Sequence, residues 1–439
     1  MKKNPAAFGF LICLCVIGLF AACLLDGQGY GNSISVVNVS AKELIAPVYG
    51  QQDSAAIKAA TGANDFAFRL GAALVKNSGN DNFVCSPYSV WLPLAALVNA
   101  TNAQNKAALF TALGASGITE ADINRASSRM LYDLTNFGAK DYRGYYNPLK
   151  IANAIFVGKN VTLKKDFAQT FMDYYRGSSI NVDFSSRDAV DAVNRWASEN
   201  TNGLIKNVIQ EFDQLTVAAI ANAIYFSDKW SREFDRGQTK EDVFHVPGLD
   251  TTASFMKREG DGQIYYEDSR VQAMPLSFEH SGGLYIILPK TGGAAQLLSS
   301  MTNDYFNEIQ RGSVRATGKL LLPRFSIEST IDDLAEALVA LGVPLFDEVS
   351  APLTGGLIEE PLQVFLSDAI QKAVIKVDEK GTTAAAVTVM QVGATSAGPP
   401  EPTRPFEMIC NKPFVFILYA NTYDGGSQIL FTGVVNQPK

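Results

Sequence analysis

The chain is poor in histidine, with only His245 and His280 among its 439 residues. Many hydrolases and metal sites depend on histidine, so this scarcity leaves few positions for them. His245 lies between Phe244 and Val246, as at a strand end, and His280 precedes a Ser-Gly-Gly turn. We therefore expect both to be surface or strand-end residues.

Cysteine is also scarce beyond the N-terminus. Cys13, Cys15 and Cys23 lie in the first residues of the chain, which leaves only Cys85 and Cys410. That pair cannot form a disulfide framework or a four-cysteine zinc site. We expect no metal and no cofactor.

Only one long hydrophobic run occurs, at residues 8–25, so a polytopic membrane protein is excluded. Lys2 and Lys3 precede the run and Ala21-Ala22 near its end gives a small-residue cleavage site, which predicts an export leader at residues 1–23. An uncleaved anchor is an alternative. Residues 19–23 resemble a bacterial lipoprotein box, so Cys23 is a candidate for lipidation. The sequence leaves lipidation and simple cleavage open, and predicts a secreted or surface-anchored protein that touches membrane only through such an anchor.

Charge is modest, at 18% of residues with a net charge of −7, whereas 47% of residues are hydrophobic. This composition excludes a disordered chain and disfavours nucleic acid as a partner. Residues 24–62 are rich in Gly, Ser, Asn and Gln and are predicted to be a flexible linker. Residues 63–439 show no internal boundary and are predicted to form one domain.

The domain is predicted to be α+β. Helical periodicity dominates its first half, with an N-cap at Asn64 and later helices at about 86–98, 102–114 and 187–202, and the later half contains one more helix at 331–341. Strands are expected from apolar, β-branched runs at 151–157, 217–226, 284–288, 319–325, 373–377, 414–418 and 429–435.

Familiar catalytic motifs are absent from the sequence, including G-x-S-x-G, H-E-x-x-H and G-x-x-x-x-G-K-[ST]. Asp378 and Glu379 are adjacent carboxylates. Neighbours on a strand point to opposite faces, so we expect solvated charges at a strand end rather than a glycosidase pair. A secreted hydrolase stays an alternative and would need one of the two histidines.

Residues 381–398 have an unusual composition for a loop. No charge occurs between Lys380 and Glu401, and most side chains are small, β-branched or apolar. Alternate positions from Thr382 carry only small or apolar groups, as the buried face of a central strand requires. Proline is absent until Pro399. The pattern predicts a loop that is able to enter a β-sheet.

From about residue 62 to the C-terminus the chain resembles the serpin family. The blocks that carry the resemblance occur in family order: Asn82-Phe-Val-Cys-Ser-Pro-Tyr-Ser-Val90, Asn194-Arg-Trp196 with Thr201-Asn-Gly203, Val217 to Trp230, Leu322-Pro-Arg-Phe325, Asp378-Glu-Lys-Gly-Thr-Thr-Ala-Ala-Ala386, Asn411-Lys-Pro-Phe414 and Phe431-Thr-Gly-Val-Val-Asn436.

The resemblance implies three sheets, eight or nine helices and an exposed reactive loop at about 379–405. It implies a monomeric suicide-substrate inhibitor, which forms a covalent acyl complex with a serine protease and inserts its loop into the large sheet. The hinge residues would be Glu379, Gly381, Thr382, Ala384, Ala385 and Ala386. The shutter would comprise Ser86, Ser89, Asn222 and Gln371, and Trp230 would mark the breach, where insertion begins.

Three departures from the family pattern are present. Gln371 stands where the shutter histidine is expected, Thr383 replaces an acidic residue, and the loop is about seven residues longer than usual. Family spacing from the hinge glycine places the scissile bond between Thr395 and Ser396. Arg404 is the basic alternative, but Pro405 follows it.

Small residues before Thr395 favour an elastase-like or subtilisin-like target over a papain-like cysteine protease. A non-inhibitory binding or carrier protein on the same fold is the competing hypothesis.

Overall fold

The computed structural model describes residues 12–23, 53–136, 140–141, 144–145, 148–246, 248–280, 282–381, 404–422 and 425–438. For 12–23, 140–141 and 144–145 it describes the backbone alone. Several predicted site residues lie outside the described residues, namely Thr382, Ala384, Ala385, Ala386, Thr395 and Ser396.

The described residues form nine α-helices: α1 Ser54–Val75, α2 Pro87–Leu97, α3 Ala103–Ala112, α4 Glu120–Asn136, α5 Lys165–Tyr175, α6 Arg187–Asn200, α7 Ala294–Ser300, α8 Asn303–Gly312 and α9 Leu334–Ala340. Across the described ranges, no helix is both long enough and apolar enough to cross a membrane.

The strands are β1 Ile12–Cys23, β2 Phe83–Cys85, β3 Lys140–Asp141, β4 Gly144–Tyr145, β5 Leu149–Gly158, β6 Gly177–Val182, β7 Thr216–Phe226, β8 Lys240–Val246, β9 Leu249–Glu267, β10 Val271–Ser277, β11 Gly283–Pro289, β12 Val314–Pro323, β13 Phe325–Ile331, β14 Gln363–Val377, β15 Arg404–Ile409, β16 Phe414–Asn421 and β17 Ser427–Val435.

The large sheet has six strands in the order β13-β14-β1-β7-β5-β6. β1 is antiparallel to both of its neighbours, so β7 and β14 run in the same direction. We call the position between β7 and β14 the lane. Residues 12–23 of the predicted leader occupy the lane as β1. The role of the leader in export stays a prediction.

The other long strands form two further sheets that share β9. One contains β10, β11, β16, β17 and β2, and the other contains β8, β9, β12 and β15. Only the last two residues of β9 pair with β10. The predicted α+β class with three sheets is confirmed; β3 and β4 add a small separate hairpin.

The main hydrophobic core lies on one face of the large sheet and a smaller one lies on the other. α2 belongs to the main core, and every one of its residues is buried. A helix that is apolar all round is stable only when fully enclosed. α6 covers the opposite face, where Ala189 and Val193 pack with Ala219 and Ala221 of β7. Strands near the lane are therefore covered on both faces.

The predicted linker is wrong at its C-terminal end. α1 begins at Ser54, because the Asp53 carboxylate accepts hydrogen bonds from the backbone N–H groups of Ala55 and Ala56 at 3.1 Å each. Gly62 lies inside the helix, where a Cβ would sit 2.4 Å from the Gly114 carbonyl oxygen. The glycine therefore marks a close helix contact rather than the end of a linker.

Asn64, predicted as an N-cap, instead anchors α1 to β17. Its Nδ2 donates to the Ser427 carbonyl oxygen at 2.8 Å, and its Oδ1 accepts from the Ile429 N–H at 2.9 Å. The local spacing suggested a cap, but the long-range contact uses the same polar side chain.

The predicted strand at 319–325 is two strands, β12 and β13, which meet at Arg324. The Arg324 N–H donates to the Ser254 carbonyl oxygen at 2.9 Å. Its guanidinium turns to Glu379. The break thus coincides with a contact between Arg324 and a buried carboxylate that is distant in sequence.

Candidate functional site: hinge, breach and shutter

Gly381, the predicted hinge glycine, lies four residues after the end of β14 at Val377. Its φ is +87°, and a Cβ would lie 2.5 Å from the Trp230 backbone nitrogen. Gly381 forms isolated bridges with Lys229 and Asp378. Both the dihedral angle and the lack of space require glycine at this position.

Trp230, the predicted breach residue, lies beside Gly381. Its indole Nε1–H donates to the Asp378 carbonyl oxygen at 2.8 Å, and its backbone N–H donates to the Lys380 carbonyl oxygen at 3.1 Å. The indole stacks on Phe278, with ring centroids 4.8 Å apart. Trp230 therefore connects the end of β7 to the end of β14 where the lane opens.

Glu379 is not a solvated charge, contrary to the sequence-based expectation. Its side chain is 1% exposed. The Arg324 guanidinium donates to Glu379 Oε1 through Nε, at 2.7 Å, and through Nη2. The Thr239 hydroxyl donates to the same oxygen at 2.6 Å, and Arg236 Nε lies 3.8 Å from Oε2. The expectation failed because these partners are remote from Glu379 in the sequence.

The pKa of Glu379 reflects two opposing effects. Burial raises it, but the hydrogen bonds from Arg324 and Thr239 outweigh burial and hold the pKa of Glu379 below its usual value. The carboxylate is therefore charged in the folded protein. For Asp378, burial raises the pKa above its usual value. The adjacent carboxylates thus have different environments, with Glu379 held charged by Arg324 and Thr239.

Three of the predicted shutter residues form one hydrogen-bonded group. Gln371 Oε1 accepts from the Ser86 N–H at 2.9 Å, and Gln371 Nε2 donates to the Ser86 carbonyl oxygen at 3.0 Å. Ser86 Oγ also donates to Ser89 Oγ at 3.3 Å. All three residues are fully buried. Gln371 thus ties β14 to the start of α2.

Asn222, the fourth shutter residue, belongs to a separate group. Its Nδ2 donates to Asn153 Oδ1 at 2.8 Å, and Asn153 Nδ2 donates to the Tyr175 carbonyl oxygen at 2.6 Å. Asn222 Oδ1 is buried and has no hydrogen-bond partner among the described atoms. Both Asn222 and Gln371 are register partners of Val16 in β1, so the lane separates the two groups.

The environment of His280 differs from the sequence-based expectation. It lies in the turn between β10 and β11, but its side chain is only 14% exposed. Its Nδ1 lies 2.8 Å from Asp228 Oδ1, and its backbone N–H donates to Asp228 Oδ2 at 3.0 Å. Burial raises the pKa of Asp228 above its usual value. His245 does lie at an exposed strand end, 3.0 Å from Asp250.

The structure adds Asn153, Thr239, Arg324 and Asp228 to the predicted site. Asn153 could have been found from the sequence, since it is a polar residue within an apolar strand. Arg324 lies within a family-like sequence block, but its partner is remote in sequence. No sequence signal links Asp228 to His280 or Thr239 to Glu379.

Cys85 and Cys410 are buried free thiols. Burial raises the pKa of Cys85 to about 12 and also raises that of Cys410. In the part of the chain with described side chains, no group of three or more His, Cys, Asp or Glu residues could hold a metal ion.

A family model described as "Serpin (serine protease inhibitor)" matches residues 61–438. The chain belongs to the serpin family. Among its curated relatives, antichymotrypsin-2 of Bombyx mori is 32% identical over 385 residues, covering 85% of this chain and 96% of the relative. Alpha-1-antiproteinase S of Cavia porcellus is 27% identical, covering 85% of this chain and 89% of the relative.

Solved serpin structures share the fold. The native thermophilic serpin tengpin has a TM-score of 0.73 at 24% identity, covering 90% of this chain and 97% of its own. Human thyroxine-binding globulin, solved as a complex with thyroine, has a TM-score of 0.73 at 22% identity. The match covers 88% of this chain and 100% of the globulin chain. Serpins therefore include inhibitors and carriers rather than catalytic enzymes, and several relatives of this chain are named as protease inhibitors.

Proposed function

We propose that this serpin is a suicide-substrate inhibitor of serine proteases with elastase-like or subtilisin-like specificity. The protease serine oxygen would attack the carbonyl carbon of Thr395. The Thr395–Ser396 amide bond then breaks, the Ser396 amine leaves with a proton from the protease's general acid, and Thr395 stays bound as an ester. The released N-terminal part of the loop then enters the lane and carries the protease with it before water hydrolyses the ester.

The arrangement of the hinge beside the lane carries this proposal. β7 and β14 run in the same direction, and the position between them, which β1 fills here, accepts a strand that is antiparallel to both. Gly381 follows the end of β14 and bridges Lys229, just beyond the end of β7. A chain that leaves Gly381 therefore starts at the end of the lane nearest Lys229. It needs only to reverse direction to run between β7 and β14.

The composition and length of the loop fit the lane. Residues 382–395 carry no charge, as an element covered on both faces requires. These fourteen residues span about 46 Å when extended, whereas the eleven register positions between β1 and β14 span about 36 Å. Full insertion would therefore carry the ester at Thr395 to the far end of the large sheet.

The start of β15 supports cleavage at Thr395 rather than at Arg404. Arg404 is the first residue of β15, where it pairs with Ala316 and its Nη2 donates to Glu267 Oε2 at 2.9 Å. Pro405 follows it. Thr395 is preceded by Val392 and Ala394, whose small side chains suit a shallow protease subsite.

Incubation of the processed chain, which lacks residues 1–23, with pancreatic elastase, subtilisin, trypsin and papain tests the proposal. We expect a detergent-resistant one-to-one complex with elastase or subtilisin, and a released peptide that begins at Ser396 by mass spectrometry. A peptide that begins elsewhere would move the scissile bond. Clean cleavage without a complex by every protease would refute inhibition.

Ala384→Arg provides a sharper test, because it would carry a charge into the lane. We expect this variant to be cleaved normally but to form no complex. Ala397→Arg, the same change beyond the scissile bond, should retain complex formation if the protease still cleaves. Inhibition that survives Ala384→Arg would refute insertion.

A carrier function is the second candidate, because the fold contains a cleft of about 570 Å³ between α1, α8 and the β16–β17 hairpin. Its lining includes Asn64, Asn303 and Arg311. Clefts of this size accommodate small ligands. A thermal-shift titration with thyroxine, the ligand for which the globulin neighbour is named, tests it. A saturable shift, combined with cleavage without a complex, would favour the carrier.

We also infer export, with Cys23 as the candidate lipidation site. Mass spectrometry of the N-terminus of the protein from its host would distinguish the alternatives. A diacylglyceryl mass on Cys23 supports a lipid anchor, an unmodified new N-terminus supports secretion, and an intact N-terminus contradicts both.

A further inference from the structure

The lane is filled along nearly its whole length by residues 12–23. β1 pairs with β14 from Cys13 opposite Val374 to Cys23 opposite Gln363. On its other side, β1 pairs with β7 from Ile12 opposite Phe226 to Ala21 opposite Thr216. A central strand with two partners has its backbone groups satisfied on both sides. Residues 12–23 therefore occupy an internal position of the large sheet.

The reactive loop would need the same position and the same direction. Ile12 lies opposite Phe226, at the end of the lane where Lys229 bridges Gly381. A loop that descends from Gly381 would run antiparallel to β7 and β14, as β1 does. Adjacent strands are about 4.8 Å apart, so the lane holds one strand. The two segments are mutually exclusive.

The sequence of this segment suits an enclosed strand. No charged residue occurs between Lys3 and Asp26. Both faces of β7 lie in hydrophobic cores, with Ile220 and Ile224 on one face and Ala219 and Ala221 on the other. A strand that lies beside β7 must be uncharged, and the leader satisfies this requirement as well as the loop does.

The shutter indicates that the lane also has an empty, closed state. Asn222 Oδ1 is buried without a partner among the described atoms, and an orphaned buried acceptor is costly. Asn222 and Gln371 are opposite the same residue, Val16, on the two sides of β1. Without β1, the strands β7 and β14 would close from about 9.6 Å to about 4.8 Å, which brings these two amides into reach of each other.

We infer that residues 12–23 are an intramolecular occupant of the lane that prevents loop insertion while they remain attached. The inference rests on the proposed inhibitory function. The precursor would be cleaved by a protease as an ordinary substrate, and removal of the leader would vacate the lane and create the inhibitor. Export processing would thereby also be the activation step.

The natural cysteines of β1 allow a direct test of occupancy. Cys15 lies opposite Ala223 of β7. Cross-strand partners lie within the Cα separation of a disulfide. In the full chain, produced without export so that residues 1–23 stay attached, Ala223→Cys should form a disulfide with Cys15 under mild oxidation. The matched variant Ala221→Cys, opposite Ile17, should not, and peptide mapping reads both results.

A second experiment on the same full chain tests whether occupancy of the lane by β1 limits inhibition. Val16→Pro removes a ladder hydrogen bond in the middle of β1 and should increase the ratio of complex to cleaved chain by about tenfold or more. Val36→Pro, the same change beyond β1, should leave the ratio unchanged. Absence of the Cys15 disulfide, or equal ratios for Val16→Pro and the unaltered chain when complexes form, would overturn the inference. A disulfide in the full chain, with no complex even from the chain that lacks residues 1–23, would instead refute the proposed function and leave the occupancy of the lane standing.

Discussion

At the residue scale, the Glu379–Arg324 pair is the principal electrostatic contact at the hinge. We predict that Glu379→Gln lowers the free energy of unfolding by about 1–3 kcal/mol, because it removes charge-assisted hydrogen bonds from a buried position. Urea denaturation measures the loss. As a control, Glu328→Gln alters an exposed carboxylate that pairs with Lys372 and should cost less than about 1 kcal/mol. Equal losses would show that burial of Glu379 contributes nothing.

The lowered pKa of Glu379 gives its contribution a defined pH dependence. A carboxylate whose pKa is lower in the folded state stabilises the fold above its unfolded value, and this stabilisation is lost as pH falls through the folded pKa. The difference in unfolding free energy between the unaltered chain and Glu379→Gln should therefore be largest above pH 4.5 and shrink below it. Parallel urea titrations from pH 7 to pH 3 would show this, and a constant difference would contradict the assignment.

Gly381 is constrained by its dihedral angle and by its neighbour Trp230. Gly381→Ala should cost about 1–3 kcal/mol through backbone strain, with an additional loss from the contact with the Trp230 nitrogen. Gly342→Ala provides the matched control, since Gly342 has a φ of +84° but no atom within 4 Å of a Cβ. The stability loss of Gly381→Ala beyond that of Gly342→Ala measures the cost of the close contact. Equal losses would mean that the Trp230 backbone moves aside without cost.

At the scale of elements, Gln371 connects β14 to α2 through both backbone groups of Ser86. A planar amide presents its donor and acceptor side by side, whereas the two imidazole nitrogens point apart. Gln371→His, which introduces the residue expected from the family pattern, should therefore lose one of the two bonds and about 1–3 kcal/mol of stability. Thermal denaturation measures this. A more stable variant would show that the family residue fits here without rearrangement.

Elements were predictable from the sequence where local periodicity determines them. Apolar runs located β5, β7, β11, β16 and β17 to within a few residues. The breaks were less predictable, because Arg324, between β12 and β13, contacts Glu379, which is remote in sequence. The beginning of α1 depends on the Asp53 cap, which a glycine-rich neighbourhood concealed. The pairing of residues 12–23 with β7 and β14 is set by non-local contacts and has no local signal.

At the scale of the whole molecule, the predicted loop insertion should change global stability. Once the loop is cleaved and inserted, the large sheet gains a strand that is connected to the fold through Gly381. We predict a higher melting temperature for the cleaved chain than for the intact one when the lane is free, as in Val16→Pro. The same variant carrying Ala384→Arg should gain nothing on cleavage. Calorimetry before and after cleavage measures the two melting temperatures. Equal melting temperatures for the cleaved and intact chains would contradict insertion.

The candidate site was predictable as a set of positions, but only partly as a set of contacts. Order and spacing identified Gly381, Trp230, Ser86 and Gln371, and the structure brings the first pair and the second pair together. Asn222 was grouped with Ser86 but hydrogen bonds to Asn153 instead. A linear sequence does not show that a strand lies between the two halves of a polar network.

The single-strand width of the lane has a consequence for dosage. An inhibitor that stores its captured loop in such a position has no means of returning to its starting state, so each molecule neutralises one protease and is then spent. Protection would therefore be set by the number of chains made rather than by a turnover rate. If the proposed inhibitory function holds, a host that faces more protease would respond only by synthesis, and the abundance of this protein would set the limit of its protection.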